Sequence, residues 1–260
     1  MKMTDKHPWY NVISQNGTER LRCNNIDNIL SCPCGIHPFP IKPVAKMVID
    51  EKVKEILICA SPRTGSTLLH QICESLLPDM TIKTHHLVDS CPLLFYYKYV
   101  ICPVRNPYDV AVSMKRLGIF NLKDLNNNLN IALKILRIMK LQEFGIVRDD
   151  LKITFIKYED FYMNNKNLVS TISNILHLDI NENKKNHISD KLSIANNKKI
   201  SDKLKVWKNV EIVSNCEIHG NHIGDYLGSP GEGSKQLTYQ EKEIIYQDNI
   251  DYFNSFGYKK

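Results

Sequence analysis

The residues best placed to do chemistry lie in one short run, Ser61-Pro62-Arg63-Thr64-Gly65-Ser66-Thr67. Arg63 offers a fixed planar cation. Gly65 lets the backbone come close to a ligand. Ser66 and Thr67 add hydroxyls. An apolar run from Ile56 to Ala60 precedes them, and an amphipathic segment with Leu68, Leu69, Ile72, Leu76 and Leu77 on one face follows. That order reads as buried strand, tight loop and helix. A helix N-terminus leaves backbone amides without partners and favours an anion, so the loop is suited to a phosphate-like group. A turn that binds nothing is the plainer alternative. The loop is not the common nucleoside-triphosphatase pattern: it lacks the four-residue spacer and the Lys before Ser/Thr, and Arg63 precedes Gly65 by two residues. A magnesium-dependent triphosphate site is therefore disfavoured against a different anion cradle.

Two more polar clusters follow apolar, strand-like runs. Lys98 to Val104 leads into Arg105-Asn106-Pro107-Tyr108-Asp109, with Ser113 eight residues after Arg105. Asn106-Pro107 is a helix-start signature, a side-chain acceptor at the cap and Pro at the first helical position. A short strand from Met80 runs into Lys83-Thr84-His85-His86-Leu87-Val88-Asp89. A fourth strand, Lys152 to Lys157, ends at Tyr158-Glu159-Asp160. Strands alternating with helical segments predict an α/β fold, a P-loop-like parallel sheet flanked by helices on both faces. Ligands on such sheets lie beyond the carboxyl ends of the strands, where the first three clusters would converge.

The elements that must position these groups fill most of the chain. Its 260 residues suffice for one large α/β domain, assigned to residues 53–260. Residues 1–52 show no clear periodicity; Asn16-Gly17, Cys32-Pro33-Cys34-Gly35 and prolines 38, 40 and 43 read as an irregular covering segment. The Cys23, Cys32, Cys34 and His37 group lacks zinc-module spacing and reads as loop cysteines. Cys59, Cys73 and Cys102 read as small core residues, in keeping with reduced thiols. Leu122 to Phe144 has one apolar face and reads as a packing helix. Leu168 to Leu178 reads as a further helix, and Asn183 to Lys205 as solvated helix and loop. Thr238-Tyr239-Gln240-Glu241 is a capping box that opens a closing helix.

Together the clusters resemble the sulfotransferases that use 3′-phosphoadenosine 5′-phosphosulfate (PAPS). Residues 61–67 are similar to the family's 5′-phosphosulfate loop, and Arg105 through Ser113 to its 3′-phosphate motif. Lys83-Thr84-His85 resembles the strand exit that holds the catalytic base. Tyr158 matches a Tyr near adenine. His219 to Asp225 resembles the late loop that closes over the 3′-phosphate. The resemblance runs from Glu55 to Tyr258 and is to a divergent branch, such as the flatworm sulfotransferases known for activating a drug. It implies cofactor contacts at Arg63, Thr64, Gly65, Ser66, Thr67, Arg105, Ser113, Tyr158, His219, Gly220 and Asn221. Arg63 stands where the family's loop has Lys, and Leu68 where an aromatic residue is usual. The late loop lacks its Arg-Lys pair, so His219, Asn221 and His222 would serve instead.

The implied reaction is in-line transfer of a sulfuryl group to a hydroxyl of a small, largely apolar acceptor, with adenosine 3′,5′-bisphosphate (PAP) as product. Arg63 and the loop amides would hold the charge on the leaving phosphate, with no metal required. Arg105 and Ser113 would fix the remote phosphate. His85 and Asp89 are both candidate bases. The balance falls slightly toward Asp89, because His85 and His86 cannot both point inward from one strand. Apolar neighbours such as Leu87, Val88 and Phe95 would raise its carboxyl into a useful range. Phe39, Leu87, Asp89 and Phe95 would line the acceptor pocket.

A net charge of +6 without a block of like charges suits a small anionic ligand better than nucleic acid. The polar first eleven residues and the absence of a long apolar run predict no secretion signal and no membrane span, hence a cytoplasmic protein. A homodimer is common in the family. A nucleotide kinase and a non-catalytic nucleotide-binding module are the rival readings.

Overall fold

A computed structural model describes residues 10–15, 18–23, 39–40, 55–85, 97–143, 150–204, 218 and 222–260. Its centre is a four-stranded sheet of β4 (Ile56–Cys59), β5 (Thr81–Thr84), β6 (Tyr99–Val104) and β7 (Lys152–Lys157). The strand order is β5-β4-β6-β7 and every pairing is parallel. The chain moves from β4 outward to β5, then crosses back to β6 on the other side of β4. That reversal places the topological switch between the ends of β4 and β6.

The sheet is covered on both faces, as the strand composition predicts. Alternate residues of β4 enter different cores. Ile56 and Ile58 pack with Leu69, Ile72 and Leu76 of α1 (Ser66–Leu76) and with Leu168, Val169 and Ile172 of the helix Asn165–Ile175. Leu57 and Cys59 join the opposite core. There they meet Val110, Ala111 and Met114 of α2 (Pro107–Arg116), and Leu125, Leu129 and Ala132 of α3 (Leu122–Glu143). Each fully buried Leu or Ile contributes about 1.5–3 kcal/mol, so both layers hold the strand ends firmly. Cys59, Cys73 and Cys102 are buried, core residues as expected.

After β7 come α4 (Tyr158–Phe161), α5 (Asn165–Ile175), α6 (Glu182–Lys191) and α7 (Ile194–Lys203). The stretch expected to be solvated helix and loop is thus two helices, each with its own side-chain cap, Asn181 and Ser193. The closing segment is α8 (Glu232–Gln236), α9 (Tyr239–Asp248) and α10 (Ile250–Phe256). Thr238 and Glu241 form the expected capping box, but the helix breaks at Asn249. The Asn249 amide turns back to the Ile245 carbonyl and across to Asn126 of α3.

The N-terminal fifty residues differ from the irregular segment expected of them. They contain β1 (Tyr10–Gln15), β2 (Thr18–Cys23) and β3 (Phe39–Pro40), an antiparallel sheet. Gln15 faces Thr18 across the two-residue connection Asn16-Gly17, a pair that favours a tight hairpin. Phe39 pairs with Leu21 in this sheet. Cys32, Cys34 and His37 lie outside the described residues.

Candidate functional site

The loop after β4 is bent by two left-handed residues, Arg63 (φ 69°) and Gly65 (φ 90°). A side chain at Gly65 would meet Tyr158 at 2.9 Å and Phe161 at 3.0 Å, so this position requires glycine on both counts. The Thr64 hydroxyl donates to the Ser61 carbonyl (2.7 Å), and the Ser61 hydroxyl donates to the Asn128 carbonyl of α3 (2.6 Å). These bonds hold the turn from inside and from the helix behind it. Gly65 is the N-cap of α1 and supplies no side-chain cap, which leaves the amides of the first turn to another acceptor.

The exit of β6 is anchored differently. The Asn106 side chain caps α2 by accepting from the Tyr108 amide, and Pro107 opens the helix. The Asn106 amide donates to Glu159 (2.9 Å). The Arg105 backbone exchanges bonds with the Tyr252 hydroxyl of α10, at 3.2 and 3.3 Å. Arg105 is 6% exposed. Its Nη1 donates to the Arg63 carbonyl (3.1 Å) and its Nη2 to the Gly228 carbonyl (2.9 Å). Its guanidinium lies 4.2 Å from the centre of the Tyr158 ring. Among the described residues, its buried Nε has no hydrogen-bond partner.

Arg63 and Ser113, which the sequence reading set in separate halves of the site, are bonded to each other. Arg63 Nε donates to Ser113 Oγ at 2.9 Å, and Nη2 to the His222 carbonyl at 2.7 Å. Burial, then the neighbouring Arg116 and Arg105 guanidiniums, hold the Arg63 pKa down to about 9. Burial pushes the Tyr158 phenol up, and the Arg105 guanidinium beside it works the other way. The stretch from His222 to Gly233 is fastened above these groups. The Asp109 carboxylate accepts from the amides of Gly231 (2.9 Å) and Gly233 (2.6 Å), while the His222 amide donates to Ser201 of α7.

The β5 exit reaches the same loop. Lys83 Nζ donates to Thr67 Oγ1 at 3.2 Å. His85 Nδ1 lies 2.9 Å from the Ala60 carbonyl. A carbonyl can only accept, so in the neutral ring Nδ1 carries the proton and Nε2 carries the basic lone pair.

The structure therefore brings Arg63, Thr64, Gly65, Ser66, Thr67, His85, Arg105, Ser113 and Tyr158 around the switch point. Leu87, Asp89, Phe95, His219, Gly220 and Asn221 lie outside the described residues, as does the side chain of Phe39. Two nearby cations had no role in the sequence reading: Lys83, and Arg116, whose Nη2 donates to the His222 carbonyl at 3.3 Å. The signal for Arg116 was present, since it follows Ser113 by three residues on a helix and shares its face. Lys83 was legible as the cation of an exit that was read for its histidine.

No family model matches the chain, and no curated protein sequence matches it. Solved structures do. Retinol dehydratase in complex with androsterone and inactive cofactor PAP matches at 13% identity and a TM-score of 0.54, over 94% of this chain and 89% of that one. Retinol dehydratase with retinol and PAP matches at 13% identity and 0.51, with the same coverage. A mouse sulfotransferase, SULT7A1, complexed with PAP matches at 17% identity and 0.49, over 78% of this chain and 84% of that one. At such identities the likeness is one of fold. The chain has the P-loop-like α/β fold of the two retinol dehydratase structures, the fold that its resemblance to sulfotransferases implied.

Proposed function

We propose that the chain is a PAPS-dependent sulfotransferase acting on a hydroxyl of a small, largely apolar acceptor. One observation carries the reading. Arg63, Arg105 and Ser113 meet at the switch point beside the uncapped start of α1, and no carboxylate among the described residues pairs with either arginine. The cluster has cationic forks, an orphaned guanidinium nitrogen and open amides, which suits an anion with more than one phosphate. The residues present fit the nucleotide.

When bound, PAPS supplies the sulfuryl group, and PAP is what remains. The amides of Ser66 and Thr67, with Arg63 and Lys83, hold negative charge on the 5′ side; donors fixed before the reaction need no reorganisation during it. Ser113 and Arg105 hold the remote phosphate and set the register. Tyr158 offers a ring edge beside Gly65 for the base. His85 Nε2 takes the proton of the acceptor hydroxyl, with its ring oriented by the Ala60 carbonyl. Asp89 is the rival base, and the apolar neighbours Leu87 and Phe95 in its sequence support an alcohol or phenol as acceptor.

Thermal-shift titration with PAP and with ATP tests the reading. A preference for PAP is expected; tight preference for ATP overturns it in favour of a kinase. PAP binding without sulfuryl transfer from PAPS to any of a panel of phenols and alcohols would favour the non-catalytic module. With an acceptor in hand, alanine at His85 or at Asp89 should lower kcat at least about a hundredfold at the true base.

A further inference from the structure

On the nucleotide reading above, we propose that Arg116 is a second guanidinium ligand, beside Arg105, of the phosphate that Ser113 faces, and that it makes the site select nucleotides carrying a second phosphate. Ser113 and Arg116 share one face of α2, three residues apart. The Ser113 hydroxyl accepts from Arg63, while the His222 carbonyl accepts from Arg63 and Arg116 together, at 2.7 and 3.3 Å. Two planar cations thus converge on one backbone oxygen, with a hydroxyl beside them. A neutral carbonyl answers neither charge. A phosphate dianion offers several acceptors and matches the fork geometry of both.

The Arg116 side chain is also held in place. A Cβ at Gly224 would fall 2.7 Å from its Cδ and Nε, so the loop backbone lies directly against its stem. Its neighbour Lys115 is neutralised by Glu241. Among the described residues, Arg116 has no carboxylate within ion-pair distance; Asp225, whose charge it feels, has a side chain 99% exposed and sits 3.9 Å from Lys198. Of two consecutive exposed cations at the end of α2, Lys115 is paired with Glu241, and Arg116 reaches the His222 carbonyl that Arg63 also bonds. Arg63, Arg105 and Arg116 form a cluster of like charge that an anion would relieve.

The test is calorimetric titration of PAP and of 5′-AMP, which lacks the second phosphate, into wild type, Arg116→Gln, Arg116→Lys and Lys115→Gln. Gln keeps a stem against Gly224 and removes the charge. Arg116→Gln should weaken PAP roughly tenfold, the scale of one charge-assisted hydrogen bond, and leave 5′-AMP within about twofold. Arg116→Lys should fall between, and Lys115→Gln should match wild type. If Arg116→Gln keeps the wild-type preference for PAP, the inference is overturned and the nucleotide reading stands. Equal losses in Arg116→Gln and Lys115→Gln also overturn it, since general surface charge would then be the cause. A wild type that binds PAP no better than 5′-AMP overturns both.

Discussion

Two helices leave the sheet from neighbouring strand ends, and they begin in opposite ways. α1 starts at Gly65, left-handed and without a side-chain cap, behind a turn whose own polar groups are tied down by Ser61 and Thr64. α2 starts at Asn106-Pro107, with a side-chain cap, a proline at the first position and Asp109 in the first turn. On the proposed reading, the first helix keeps its amides and dipole for the nucleotide. The second uses its terminus internally and offers side chains instead: Arg105 ahead of the cap, Ser113 and Arg116 behind it. On that reading the same strand-loop-helix unit would serve as a backbone cradle on one side of the switch and as a side-chain grip on the other. Asp109 completes the contrast. A carboxylate that would repel an anion is turned to the amides of Gly231 and Gly233, where it fastens the late loop.

Substitutions can break that division of roles. The largest effect is expected at Arg63, whose guanidinium joins the two sides: Arg63→Ala should lower kcat by about 10²- to 10³-fold, read in a PAPS turnover assay. Asp109→Ala should cost about 3 kcal/mol of stability, because the amides of Gly231 and of the buried Gly233 lose a charged acceptor; denaturant unfolding measures it. Asn106→Ala should cost about 1 kcal/mol, as a lost helix cap does, and leave PAP affinity within about twofold. A large loss of PAP binding in that variant would mean that α2 binds through its terminus after all. The smallest effect is in pH. Arg63 carries its full charge below about 9 and loses it above, so PAP affinity should decline as pH rises through about 9, with proton uptake on binding there. Titration in buffers of different ionisation heat shows both.

The sheet and the first two exits were legible because their signals are local. β4 is a continuous apolar run followed by Pro62 and Gly65, and Asn106-Pro107 marks a helix start within two residues. What was missed depends on context or on weak patterning. The β1–β2 hairpin alternates poorly, and its one clear sign, Asn16-Gly17, was read as part of an irregular segment. α6 and α7 are lysine-rich and bury little, with Ile188 as the one buried side chain in α6 and Asn197 and Ser201 in α7, so periodicity was faint although both caps are present. In the site, Arg105 and Ser113 were joined only by their resemblance to the 3′-phosphate motif. Sequence could not show that Arg63 reaches Ser113 across fifty positions, nor that the Gly228 carbonyl would come to Arg105 from 123 residues away.

The hydroxyl of Tyr252 clasps the backbone of Arg105 from the far end of the chain. A protein cut short before α10 would retain every side chain assigned here to a nucleotide and still lose the pivot on which one of them turns. Deletion mapping from that end would then report a binding determinant where there is a brace. An early stop codon or a splice variant ending upstream of Tyr252 should be judged as a loss of the site rather than as a trimmed tail.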